Sequence, residues 1–455
     1  YEGTLQEGSR LIMNTVIIGL SRYLLIIFAA FYTLHCFASF ALKKTDGRNW
    51  FYLSQVVFLS LIHITGIADI AIQTGENYLS LICVLQELIF IVTIVIYRII
   101  YPESSWLLVN NMCFFLAVGF IMLSRLSPEK ALKQFFIAVV ALLLTFAIPM
   151  LLEKLDRIRD YSLIFGIIGF VALISVFVFG SITNGSRLSV KIFGILFQPS
   201  EFVKILFVLF EAGMLTEKKE YTERATMCPP MKRVIISAVA AFLYCVILVL
   251  SRDLGGALIF FVTYIFMLYV SQKAPLVLIG GAVAGLLGTF IGYRLFSHVR
   301  VRFRAWKNPF SEIAGQGYQI TQSLFAIGTG SWFGMGLTMG SPDKIPVVEQ
   351  DFIFSAIYEE MGCVFGVSLI LVCISTFLMF MNIAMIVKDA YYKLLALGLG
   401  VVYAFQVFLT IGGAVKFIPL TGVTLPLVSY GGSSLLATLI MFALIQGIYI
   451  GREYV

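Results

Sequence analysis

The feature that most limits this chain is a train of apolar runs, each close to the length that crosses a bilayer. A helix needs about 20 apolar residues for that crossing. Thirteen stretches qualify: 20–42, 51–72, 78–100, 106–124, 132–152, 161–180, 200–216, 234–250, 255–271, 276–296, 353–387, 392–415 and 433–450. Only 13% of the 455 residues are charged and 60% are hydrophobic, against roughly 25% charged in soluble domains. The expectation is an all-α polytopic integral membrane protein with little chain left for a soluble domain. Residues 1–19 are weakly apolar and read as an interfacial helix. The run 353–387 is long for one span, an excess that tilt or an emergent end absorbs. No cleavable signal peptide is evident after Tyr1.

Loop charge sets the expected orientation, because Lys and Arg concentrate on the cytoplasmic side. One alternating set of loops holds Lys43, Lys44, Arg48, Arg98, Lys154, Arg157, Arg159, Lys218, Lys219, Arg224, Lys232, Arg233, Lys273, Lys388, Lys393 and Arg452. Placing that set inside puts the C-terminus in the cytoplasm and the N-terminus outside. The opposite loops are nevertheless basic in places: Arg125, Lys130, Lys133, Arg187, Lys191, Arg252, Arg300, Arg302, Arg304, Lys307 and Lys416 lie there or at their edge. Two explanations stand: an anionic ligand held outside, or late loops that tolerate charge once early helices have fixed the topology. The net charge of +7 belongs to these loops, and no nucleic-acid partner is expected. Six cysteines lie in apolar spans and Cys228 in a polar loop, with no CxxC or Cys/His spacing. Neither a zinc site nor a disulfide framework is indicated.

The longest polar interruption, residues 298–354, is expected to be a large extracellular loop between the tenth and eleventh spans. Loops this long in compact proteins are usually functional or disordered, and this one keeps its aromatic and aliphatic residues. Arg300, Arg302 and Arg304 alternate, so they share one side only if the segment is extended. Guanidinium groups match phosphate oxygens in pairs. Glycines with Gln322 among them fill the middle, and neither the Walker pattern nor the dinucleotide fingerprint is present. Asp351 closes the loop. It reads either as a helix N-cap or as a general base beside cations that would hold an anionic leaving group. Glu359, about 80° further round the helix, would support Asp351 or pair with a buried cation, and Glu360 points elsewhere.

Three more segments carry chemistry. In FQPSEFVK, Glu201 and Lys204 are three residues apart on one helix face, a site or a structural ion pair. In SRDLGGAL, Arg252 and Asp253 mark a surface hairpin, with Arg252 a candidate anion contact. In Lys416–Ser434, two prolines and Ser429-Tyr430-Gly431-Gly432 predict irregular backbone, which membrane depth tolerates only where protein or a cavity covers it. His35, His63 and Glu87 read as satisfied polar contacts between helices.

Taken together, FQPSEFVK, SRDLGGA, GQGYQITQSLFAIGTG, GMGL, PVVEQDFIF, EEMG and TGVTLPLVSYGGSS resemble the SEDS family, the FtsW/RodA/SpoVE group. The motifs run in family order from about residue 106, which implies a ten-helix core over 106–455 and an N-terminal extension of about three helices over 1–105. The resemblance implies a peptidoglycan glycosyltransferase that polymerises lipid II on the outer face of the bacterial cytoplasmic membrane. It implies a class B penicillin-binding protein as partner and a divalent cation, Mg or Mn, whose ligands the sequence does not show. The family's essential aspartate falls on Asp351. The family pattern often carries Glu and Thr where this chain has Val347 and Gln350, while Asp351 and Phe352–Phe354 are kept and Glu349 is available as a second acid. The expected substrate contacts are Glu201, Lys204, Arg252, Arg300, Arg302, Arg304, Gln322, Glu349, Lys416 and Ser429. Two rival classes are a lipid II flippase and a scaffold that recruits the penicillin-binding protein. Charge clustered at one surface and the lack of an internal repeat favour the enzyme over a transporter.

Overall fold

Helices dominate the chain, and their order follows the apolar runs. The computed structural model describes residues 2–42, 45–76, 78–154, 158–183, 186–192, 195–218, 225–227, 229–313, 315 and 317–451. Cys228 and the basic residues Lys43, Lys44, Arg157, Lys219, Arg224 and Arg452 lie outside the described residues. The N-terminal part forms α1 (Glu2–Ala41), α2 (Thr45–Thr74) and α3 (Tyr78–Ile100). There follow α4 (Trp106–Leu126), α5 (Pro128–Thr145), α6 (Ile148–Lys154) and α7 (Ser162–Phe179). A small antiparallel sheet, β1 (Ser181–Thr183), β2 (Ser186–Ile192) and β3 (Ile195–Phe197), in that order, leads into α8 (Pro199–Met214). Next come α9 (Met231–Leu250), α10 (Leu254–Gln272) and α11 (Leu276–Leu295). The long loop builds α12 (Ser297–Lys307) and α13 (Tyr318–Gly330), before α14 (Ile353–Ile386), α15 (Ala390–Ala414) and α16 (Gly432–Ile450).

Twelve helices among the described residues are long and apolar enough to cross a membrane, which makes this a multi-pass membrane protein. The thirteenth run, 200–216, is α8. It has 16 residues, and fourteen of them are buried, Glu201, Lys204 and Glu211 included. Protein rather than lipid surrounds it, which is how a segment with three ionisable groups is accommodated. At the centre stands α4, buried without a break from Leu107 to Ser124.

Three boundaries differ from expectation, each for a local reason. α1 is continuous from Glu2, so residues 1–19 do not form a separate interfacial helix. The run 132–152 divides after Thr145, because Pro149 has no N–H for the Thr145 carbonyl. The long run 353–387 is not one regular helix: it breaks at Gly362, with φ 86° and ψ 175°. Residues 331–336 lie against the break and take up its backbone groups. Met335 N donates to Glu359 O and Gly336 N to Glu360 O at 2.9 Å, and Cys363 N donates to Ser331 O at 3.0 Å. A Cβ at Gly362 would lie 2.3 Å from Gly334 N. Gly362→Ala is therefore expected to cost about 2–4 kcal/mol through backbone strain and overpacking. Thermal unfolding in detergent checks this, with Gly280→Ala, whose Cβ meets nothing within 4 Å, as the silent control.

The extension is joined to the rest through polar groups at membrane depth. Tyr32 OH donates to Asn111 Oδ1 at 3.0 Å, Asn111 Nδ2 to Thr376 Oγ1 at 3.0 Å, and Asn110 Nδ2 to Gln55 Oε1 at 2.9 Å. His63 makes the expected interhelical contacts, to Glu87 and Gln86. His35 does not: its ring packs against Trp50, Phe51 and Phe58, and its Nδ1 is buried without a hydrogen bond.

Candidate active site

The long loop is folded, and its helical conformation changes the reading of its arginines. Two residues along a helix amount to about 200°, so α12 turns Arg302 away from Arg300 and Arg304. The latter two are exposed. Arg302 points inward, where its Nη1 donates to Leu420 O at 3.2 Å and Thr421 O at 2.8 Å. Four residues on, Trp306 Nε1 donates to Lys416 O at 3.1 Å. α12 thus rests on the irregular segment after α15, and one arginine of the three reaches the interior.

Asp351 stands in the turn before α14. The N-cap alternative fails: α14 starts at Ile353, its N-cap position is Phe352, and no side chain caps it. The carboxylate faces Gly422 instead, with Oδ2 3.7 Å from where a Cβ at that glycine would stand. Gly422 has φ 77°, a conformation that glycine adopts without strain. Burial pushes Asp351 up to about 6; Arg302 opposes the rise and Glu349 adds to it.

Two of the expected substrate contacts hold this turn in place. Ser429 is buried; its Oγ donates to Gln350 O at 2.6 Å and accepts from Leu425 N at 2.9 Å. Tyr430 N donates to Glu349 O at 2.8 Å, and the Glu349 carboxylate pairs with Lys130. Both hydrogen-bonding roles of Ser429 are spent on the backbone, so it is a positioning residue rather than a ligand contact. Glu359 does not reach Asp351 and accepts from Ser341 N at 2.9 Å. The buried pairing with a cation falls to Glu360, whose Oε1 lies 3.0 Å from Arg125 Nε.

Behind Gly422 lies a polar cavity of about 30 Å³, lined among others by Gln198, Ser200, Glu201, Lys204, Asp253 and Thr424. Glu201 and Lys204 pair at 2.9 Å, Lys204 Nζ also donates to Gln406 Oε1 at 2.9 Å, and Gln406 Nε2 donates to Thr424 O at 3.1 Å. Asp253, expected at the surface, is buried and caps α10 by accepting from Gly256 N at 2.7 Å. Burial raises its pKa, and Arg302 is among the groups that lower it. Arg302 accordingly interacts with both Asp253 and Asp351. Sequence reasoning missed Asp253, although an Asp three residues ahead of Gly256 was the available signal. It missed Gln406, for which no sequence signal exists.

The remaining candidates lie apart from this group. Arg252 is exposed, with φ 64°. Gln322 is half-buried on α13, and Lys416 is half-buried with φ 61°, its carbonyl in use rather than its ammonium. None of them shares a hydrogen bond with Asp351 among the described residues.

Residues 104–453 match the family described as "Cell cycle protein", FtsW/RodA/SpoVE. The chain belongs to that family. It is similar to the peptidoglycan glycosyltransferase RodA of Mycobacterium tuberculosis, 34% identical over 326 residues, 70% of this chain and 68% of the relative. It is also similar to the stage V sporulation protein E of Bacillus subtilis, 36% identical over 63% of this chain and 77% of that one. Among solved structures, a chain of a peptidoglycan synthase complex is 28% identical with a TM-score of 0.62, covering 77% of this chain and 98% of that chain. The Thermus thermophilus rod shape determining protein RodA, 24% identical with a TM-score of 0.58 over the same shares, shares the fold. The family stretch begins just before α4, so α1 to α3 precede it.

Proposed function

We propose that this family member is a peptidoglycan glycosyltransferase that joins lipid II units into glycan strands on the external face of the cytoplasmic membrane. The observation that carries the reading is Asp351: a carboxylate raised to about 6 by burial, engaged in no helix cap and in no ion pair among the described residues, and opposed in that rise by the half-buried Arg302. A base poised near the working pH is what hydroxyl activation asks for.

Asp351 would take the proton of the acceptor sugar's 4-hydroxyl as its oxygen attacks the anomeric carbon of the donor. The bond from that carbon to the lipid diphosphate breaks, its electron pair leaves with the phosphate, and the configuration inverts. Arg302 would stabilise the departing charge, and exposed Arg252, Arg300 and Arg304 would draw the diphosphate to the surface. Glu201, Lys204 and Asp253 would line the inner wall of the site.

The divalent cation that the family resemblance implies finds no protein-built site. Among the described residues no three His, Cys, Asp or Glu side chains converge, and the charged groups that act on Asp351 are Arg302 and the Lys130-bound Glu349. A magnesium-like ion is commonly held by one or two carboxylates together with substrate phosphates, so its ligands would come largely from the diphosphate. A class B penicillin-binding protein would supply crosslinking, as befits a relative of a chain from a peptidoglycan synthase complex.

Purified protein in proteoliposomes, given lipid II and its cognate penicillin-binding protein, is expected to produce glycan polymer resolvable by gel electrophoresis. Lipid II that crosses the bilayer without forming polymer would replace this reading with a transporter.

A further inference from the structure

The turn that carries Asp351 is braced from α5, a helix that supplies no group to the site described above. Lys130 and Gln134 are four residues apart on α5, so they share a face. Lys130 pairs with the Glu349 carboxylate, and its Nζ stands 5.8 Å from the centre of the Tyr430 ring. One turn further on, Gln134 is 1% exposed and reaches the backbone on either side of Tyr430. Its Nε2 donates to Ser429 O at 3.2 Å, and its Oε1 accepts from Gly431 N at 3.2 Å.

Residues 429–431 precede α16 and belong to no helix, so Ser429 O and Gly431 N need partners from elsewhere. A buried backbone group left unpaired is costly, most of all at membrane depth. Glutamine serves both groups at once, because its amide carries a donor and an acceptor. The orientation of that amide follows from its partners: a carbonyl only accepts and an N–H only donates. Methionine would fill the same space with neither bond.

The same stretch then grips the turn ahead of α14. Ser429 Oγ donates to Gln350 O and Tyr430 N to Glu349 O. The carbonyls of the two residues just before Asp351 are therefore tied, through 429–430, to α5. That helix packs in turn on α16 and on fully buried α4. Lys130 and Gln134 share no hydrogen bond with Asp351 among the described residues, so their influence passes through the turn.

We infer that Lys130 and Gln134 are positioning residues for Asp351, holding its carboxylate in the orientation that the reaction uses. The inference rests on the glycosyltransferase reading. The charged groups that act on Asp351 are Arg302 of α12 and Glu349 of its own turn, and burial is the larger influence.

The test measures lipid II polymerisation by the full chain in proteoliposomes across pH. Alongside it, the Asp351 carboxyl band is titrated by infrared spectroscopy without substrate and assigned by its loss in Asp351→Asn. Gln134→Met frees the 429–431 stretch. Its kcat is expected to fall about tenfold, less than the roughly 100-fold of a full ångström's misplacement, with KM for lipid II unchanged. Hydration of the loosened turn should move the Asp351 midpoint below about 6. Lys130→Met should also slow turnover, but it leaves the Glu349 charge unopposed and should move the midpoint above about 6. Its side chain is 39% exposed and holds no buried backbone group, so it carries the test if Gln134→Met does not fold. Gln134→Met combined with Ser429→Ala should be no slower than the slower single variant, because both act on one path. A lowered Tm with kcat and midpoint unmoved, a KM effect without a kcat effect, or losses that multiply in the double variant would each overturn the inference. An unaltered protein that makes no polymer would end the glycosyltransferase reading instead, and the infrared midpoints would still show whether α5 sets the environment of Asp351.

Discussion

Asp351→Asn is expected to abolish glycan polymerisation while the protein stays folded. General-base assistance is worth about 10²- to 10⁴-fold, and an amide of the same shape cannot accept the hydroxyl proton. The acid form fails for the same reason. With Asp351 titrating at about 6, the rate should fall as pH drops through that value and level off above it. The stability sign runs the other way. A folded pKa above the ordinary carboxylate value means that ionisation costs stability as pH rises from about 4 to about 6, and the cost persists above that. At pH 7 to 8 the neutral asparagine avoids it, so Tm should hold or rise slightly. Turnover equal to that of the unaltered protein would remove Asp351 from the mechanism, and a collapse of Tm would recast it as a structural residue.

Much of the fold was legible because membrane depth leaves few choices: an apolar run of the right length becomes a helix, and twelve of the thirteen runs did so at span length. Asp351 was legible from its place at the end of a long charged loop and from the motif around it. What the sequence hid was orientation. Alternating Arg300, Arg302 and Arg304 look equivalent in a linear reading, and helix α12 sends one inward and two outward. Ser429 and Glu349 carry the right chemistry for ligand contact, yet their bonding capacity goes to Gln350, Leu425 and Lys130. Tertiary pairing of that sort leaves no periodic trace. The break at Gly362 depends on Gly334, 28 residues earlier, and only the packed structure places the two backbones against each other.

Arg302→Met is expected to lower polymerisation by about 10- to 100-fold and to move the acid limb of the pH profile above 6. Methionine retains most of the apolar stem, so the change is chiefly one of charge. Two losses follow. The departing diphosphate loses an inward-facing cation, a contribution of about 2–4 kcal/mol in sites of this kind. Asp351 loses the group that holds its pKa down against burial, so its base form is populated only at higher pH. Arg302→Lys separates charge from geometry. It keeps a cation near both carboxylates, so the limb should return toward about 6. It lacks the planar guanidinium whose Nη1 donates to both the Leu420 and Thr421 carbonyls, so the rate should recover only in part. Arg300→Ala and Arg304→Ala remove exposed cations and should raise KM more than they lower kcat. If the methionine variant kept its acid limb at about 6 with undiminished turnover, Arg302 would be a support for the 416–421 segment with no part in the chemistry. A limb displaced in both the methionine and the lysine variants would show that its bonds to the backbone, rather than its charge, set the environment of Asp351.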